Sequence, residues 1–171
     1  APEIMGTIHS DLLIGNGQNN SFLGLAGNDT IDGGGGFNRL RYDNGNVANL
    51  DVNLATGTAT GTHNGAAFVH TLSNIQHVRG SRGNDLMTGS NADERFDAVN
   101  TSGGGGWGVI NPGGGSNTID LTRISSDRIS LDYRTQSSGI TVNFDGTANT
   151  GTVVRAGGGT GGDSLPLDMN R

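Results

Sequence analysis

GTIHSDLLI, GNGQNNSFL, GLAGNDTID and GGGGFNRLR run without a gap from Gly6 to Arg41, four nine-residue words laid end to end. Each opens on glycine (Gly6, Gly15, Gly24, Gly33) and carries Asp or Asn at its sixth place (Asp11, Asn20, Asp29, Asn38). Each places a large apolar residue at its eighth (Leu13, Phe22, Ile31, Leu40). A fixed short period implies a solenoid, because one word can bury its apolar residue only against its neighbours. Two words make one coil of eighteen residues with a turn on each edge. Asp11 and Asp29 then share one edge, and Asn20 and Asn38 share the other.

The bulk composition fits a thin-cored fold. The chain has 171 residues, enough for one domain or one solenoid segment. Glycine, at 32 residues, is far above the usual share of about 7%, yet shows no three-residue collagen period. Hydrophobic content of 32% and aromatic content of 5% are low for a globular core. Such chains are often disordered, but the regular return of Leu, Ile, Phe and Val argues for order. No segment carries a 3.6-residue apolar face with caps, so the expectation is all-β, with short parallel strands and right-handed coiling.

Charge narrows the partners. The net charge is −6, lysine is absent, and the acidic residues are Asp except for Glu3 and Glu94. Such a surface repels phosphate backbones, so nucleic acid is not an expected partner. Short Asp in glycine turns suits a hard cation, which needs oxygens held near backbone carbonyls. With no cysteine, the available staple is metal rather than disulfide. No apolar run approaches the roughly 20 residues of a membrane span, so none is expected. No signal peptide opens the chain at Ala1, which reads as a fragment or a processed product.

Beyond Arg41 the nine-residue beat gives way to a longer pattern. Tyr42 leads to LDVNL and then to GTATGT (Gly57 to Thr62), alternating as half-buried strands do. Nonapeptides return as GSRGNDLMT (Gly80 to Thr88) and the degraded GSNADERFD. A second copy of the long pattern runs from Asp132-Tyr133 through ITVNF to GTANTGT, roughly 90 residues later. Four sections follow: nonapeptide turns at 1-41, an extended Tyr/VNL section at 42-79, degraded turns with glycine-rich loops at 80-131, and a second, truncated extended section at 132-171. The second copy breaks off near Arg171, as a truncated longer protein would.

GLAGNDTID and GSRGNDLMT are the closest copies of the glycine-rich nonapeptide of calcium-binding β-helices, and on them the chain resembles the RTX (repeats-in-toxin) family of secreted bacterial proteins. The resemblance implies a parallel β-roll or β-solenoid with calcium between stacked turns, held by Asp side chains and backbone carbonyls. Carried onto this chain, the best site uses Asp11 and Asp29 with carbonyls of Gly6 to Ile8 and Leu25 to Gly27. Two carboxylates and several carbonyls supply the six to eight oxygens that calcium prefers. Asp85 is a further candidate without an evident partner, and Asp127 a weaker one. Asn20 and Asn38 depart from the pattern and predict a neutral ladder with weak or no calcium.

The implied role is structural rather than enzymatic: a repeat segment of a large type I-secreted protein, extracellular or on the cell surface, folding on calcium. Its further partners would be neighbouring repeats of a longer chain or a surface glycan. The alternatives are the repeat tail of a secreted protease, lipase, polysaccharide lyase or epimerase, and an adhesin or carbohydrate-recognition segment using Trp107.

Other constellations are weaker. His63, His70 and His77 recur every seven residues, a spacing that does not converge ring nitrogens on a zinc ion outside a helix. Two G-x-G-x-x-G matches lack the strand–helix context of a nucleotide fold. No H-E-x-x-H, G-x-S-x-G or Walker lysine occurs. Asp43 and Asp51 are carboxylates that nothing separates from surface Asp. Trp107, the single tryptophan, reads chiefly as a cap on the core. The threonine strips are too far apart to form an ice-binding array.

Overall fold

The computed structural model describes residues 2–100, 107–124, 128–137, 140–145, 150–155 and 162–166. Among the described residues there is no helix. The first strands, β1 (Glu3–Met5), β2 (Leu12–Ile14), β3 (Ser21–Leu23), β4 (Thr30–Asp32) and β5 (Arg39–Arg41), are three residues long. Three longer ones follow, β6 (Val47–Asn53), β7 (Thr58–His63) and β8 (Ala66–Ser73). Then come β9 (His77–Arg79), β10 (Asp85–Thr88), β11 (Arg95–Asn100), β12 (Trp107–Asn111), β13 (Thr118–Ile124) and β14 (Arg128–Leu131). The last are β15 (Ile140–Asp145), β16 (Thr150–Arg155) and β17 (Gly162–Pro166).

Each word spends six residues on a turn and its last three on a strand. The middle strand residue, the word's eighth, points inward because side chains alternate across a strand. Successive words go to opposite sheets, and words eighteen apart pair in parallel: Leu12 on Thr30 in one sheet, Ser21 on Arg39 in the other. One sheet has the order β1-β3-β5-β9-β11-β13-β17-β16-β15, and the other β14-β12-β10-β6-β7-β8-β4-β2. The chain is thus an all-β solenoid, with its core between the two sheets.

The core is two facing columns. In the first sheet Ile4, Phe22, Leu40, Val78, Phe96 and Ile119 lie in register. In the second, Leu13, Ile31 and Leu72 do the same on one side of the long strands, and Val52, Met87, Ile110 and Leu131 on the other. Phe22, Ile31, Leu40, Val78 and Phe96 are fully buried. Removing one such side chain from water contributes about 1.5–3 kcal/mol, so a core one residue wide per strand still holds the stack.

The extended sections are not parallel. β6, β7 and β8 form an antiparallel meander within the second sheet. The β7–β8 turn is Asn64-Gly65, both at positive φ (50° and 82°), the pairing that a two-residue hairpin requires. β15, β16 and β17 form a second antiparallel meander at the end of the first sheet, so the recurrence 90 residues apart is a structural repeat. Each meander returns to the parallel stack by its last strand, β8 onto β4 and β17 onto β13.

Candidate metal centre

The sixth residue of each word sits where a turn enters its strand, and stacking brings these residues together as rungs along each edge. On the first edge the Asp11 backbone N–H donates to Asp29 Oδ1 at 2.9 Å. Asp11 turns its own carboxylate back onto its word, accepting from the Thr7 N–H and hydroxyl. Asp29 is buried, with 1% exposed. Its Oδ2 has no hydrogen-bond partner, and its pKa rises from 3.8 to about 6, chiefly by loss of solvent and further through the Asp11 charge. Both effects disfavour the ionised form, and a cation among these oxygens would offset both.

The glycines keep this edge clear. A Cβ on Gly6 would stand 2.8 Å from Asp11 Oδ2 and 2.8 Å from the Gly24 carbonyl oxygen, so both oxygens converge on a face only glycine leaves free. Gly27, at φ 97°, packs on the preceding coil, where a Cβ would lie 2.5 Å from the His9 carbonyl carbon and 2.9 Å from Ser10 N. Leu25 takes a left-handed φ of 67°, which leaves the turn's carbonyls at an unusual angle for a leucine. Ile8 is exposed. The Gly24 carbonyl, one residue before the Leu25 to Gly27 span that the resemblance implies, lies on Asp11's side. Among the described residues no three His, Asp or Glu side chains gather as a metal-ligand group. A cation here would therefore draw on Asp11 and Asp29 and otherwise on backbone oxygens, which suits calcium and not zinc.

The third rung of this edge is His70. Thr30 pairs with Thr71, which sets His70 directly on Asp29, with Nε2 3.3 Å from Asp29 Oδ2 and both side chains fully buried. The ring stacks on Phe68 with centroids 4.3 Å apart, and Nδ1 meets the Tyr42 hydroxyl at 3.0 Å. Burial lowers its pKa to about 4, so the imidazole is neutral at pH 7. The signal for this rung was present as Asp29-Thr30-Ile31-Asp32 against His70-Thr71-Leu72-Ser73, but 41 residues apart rather than eighteen. The second meander repeats the device with another residue. Thr118 pairs with Ser164, placing Asp163 on Asn117, and the Tyr133 hydroxyl donates to Asp163 Oδ2 at 2.7 Å.

Asp85 stands apart. Its register neighbours are Leu50 and Gly108, so no carboxylate stacks on it there. It is buried, accepts from the Ser81 hydroxyl, and is pushed up to about 7 by loss of solvent. His63 lies against Gly45, while His77 Nε2 meets Asp97 Oδ2 at 2.9 Å. Asp127 and the Trp107 side chain lie outside the described residues.

The other edge reads Asn20, Asn38, Gln76, Glu94, Asn117 and Asp163. The Asn20 N–H donates to Asn38 Oδ1 at 2.8 Å, and the Asn38 N–H to Gln76 Oε1 at 2.9 Å. The Glu94 N–H donates to Asn117 Oδ1 at 3.0 Å, and the Asn117 N–H to Asp163 Oδ1 at 3.0 Å.

The model of the RTX calcium-binding nonapeptide repeat matches residues 5–40 and 73–98, in four copies. No curated protein sequence is significantly similar to this chain. Among solved structures, the extracellular lipase LipA from Serratia marcescens is similar at 13% identity and a TM-score of 0.22. That alignment covers 99% of this chain, which spans 38% of the length of the lipase chain. The matched words are those that form the stacked turns and core strands above. Residues 5–40 and 73–98 are thus similar to RTX calcium-binding nonapeptide repeats.

Proposed function

We propose that this chain is a structural segment of a larger, type I-secreted bacterial protein, and that calcium met outside the cell folds it. The observation that supports the reading is the Asp11–Asp29 stack: two carboxylates on adjacent coils, one buried with an oxygen that makes no hydrogen bond and faces His70 Nε2 at 3.3 Å. Calcium supplies the positive charge that lets both stay ionised while stacked. Asp11 and Asp29 hold the ion, Gly6 and Gly24 let the coils approach, and Gly27 keeps the turn seated on His9 and Ser10.

Because the rungs come from different coils, the site exists only when the coils are stacked, and binding free energy becomes folding free energy. A single site filled at 100 times its Kd adds about 2.7 kcal/mol. That is enough to move a thin-cored chain from mostly unfolded to mostly folded. The job so described is mechanical, with no catalytic group assigned among these residues.

Far-ultraviolet circular dichroism during a calcium titration tests the proposal. The β signal should be weak in excess chelator and should develop with calcium, and D11N/D29N should need far more calcium. Full native signal in chelator, unchanged by calcium, would sink the reading.

A further inference from the structure

The two edges of the solenoid use the same first bond and differ in one atom. Asp29 Oδ1 accepts the Asp11 N–H, and Asn38 Oδ1 accepts the Asn20 N–H, each from the residue eighteen positions earlier. What remains of each side chain is Oδ2 in Asp29 and Nδ2 in Asn38. Oδ2 makes no hydrogen bond and faces the likewise unbonded His70 Nε2 at 3.3 Å. Nδ2 is ringed by carbonyls: Gly35 O at 3.0 Å, Asn74 O at 3.0 Å and Gly34 O at 3.5 Å. Gly34 and Gly35 belong to its own turn, and Asn74 to the turn stacked on it.

Asn117 repeats the arrangement further along the same edge. Its Oδ1 accepts the Glu94 N–H, and its Nδ2 donates to Gly114 O at 2.7 Å and Pro112 O at 3.1 Å. Both asparagines are buried, Asn38 completely. The orientation of each amide follows from its neighbours: reversing it would set nitrogen against an N–H donor and oxygen against carbonyls.

We infer that the amide nitrogens of Asn38 and Asn117 fill the place that calcium takes in an Asp-bearing turn, so that position six decides which turns need the ion. A carbonyl ring is a cation's environment. Two polarised amide hydrogens satisfy it without one, at no cost in buried charge. The solenoid thus has one edge built for calcium and one on which Asn38 and Asn117 carry their own donors. Gln76 extends the run of amide side chains by accepting the Asn38 N–H, before the edge continues to Glu94. This inference rests on the proposed calcium role of Asp11 and Asp29 and names the residues that confine it to their edge.

The test exchanges the one atom. Asn38→Asp and Asn117→Asp keep shape and volume but put an oxygen among carbonyls, where a cation satisfies the ionised carboxylate. Calcium bound per chain is counted by equilibrium dialysis, and stability is measured by urea unfolding with calcium and with chelator. Asn44→Asp, at an exposed loop position, adds the same charge as a control. Each of the two variants should bind one more calcium ion than the wild type and should unfold at lower urea than the wild type in chelator only. Wild-type ion count with wild-type chelator stability in both would overturn the inference. So would variants that stay unfolded at saturating calcium while N44D folds. The calcium reading of the first edge is scored separately, by whether D29N lowers the wild-type count.

Discussion

Gly27→Ala probes the stacking register directly, because the methyl has nowhere to go. Gly27 holds φ at 97°, and its Cβ would lie 2.5 Å from the His9 carbonyl carbon and 2.9 Å from Ser10 N. Two costs follow. Holding an L-residue in a left-handed conformation costs about 1–2 kcal/mol. Forcing the coil of residues 24–32 away from the one before it adds an overpacking cost of about 1–3 kcal/mol, giving about 2–5 kcal/mol in total. Gly65→Ala separates the two, since Gly65 has φ 82° and nothing within 4 Å of its Cβ position. Only the conformational cost applies there. The readout is the urea midpoint of each variant in saturating calcium. With a slope of about 2 kcal/mol per molar, G27A should unfold about 0.5–1.5 M below G65A. A G27A midpoint equal to that of G65A would show that the turn does not sit on the preceding coil, and the rung argument would fall with it.

Tyr42→Phe removes the hydroxyl from His70 Nδ1 inside the core and should cost about 1–3 kcal/mol in urea unfolding; a change under about 0.5 kcal/mol would mean the clamp is idle. Asp97 is buried, and its pKa is held well below 3.8. Burial pushes the group up, but hydrogen bonds and charge from His77 and Arg95 outweigh that. A depressed carboxylate pKa gives stability that is complete above the unfolded value near 4 and drains away as pH falls further. Asp97→Asn should therefore lower the midpoint at pH 7 and flatten the acid limb of the stability profile below about pH 4. An unchanged acid limb would assign that limb to other groups. Arg134→Ala removes a surface pair with Asp132 in which the arginine is largely solvated, and should shift the midpoint only slightly in physiological salt.

Much of the site was legible because a solenoid turns sequence distance into spatial neighbourhood. With a period of nine and two words per coil, Asp11 must fall on Asp29 and Asn20 on Asn38, and the eighth residues must face the core. The parallel stack is interrupted at the long sections for a local reason. Asn64-Gly65 closes a two-residue hairpin, and a strand reversed by a tight turn can only pair antiparallel.

Periodicity by itself determined the coil, the inward column and the first two rungs of each edge, because eighteen residues of unbroken repeat leave no other register. Which residue lies over Asp29 was decided only in three dimensions. The β6–β8 meander carries the chain away and returns it 41 residues later with His70 on that rung, held by Tyr42. The carbonyl ring about Asn38 is of the same kind: it takes one oxygen from the stacked Asn74 turn, a neighbour 36 residues away. Strand pairing, not spacing, selects the contact wherever an insertion interrupts the repeat, since backbone hydrogen bonds recognise an open edge regardless of how far along the chain its partner lies.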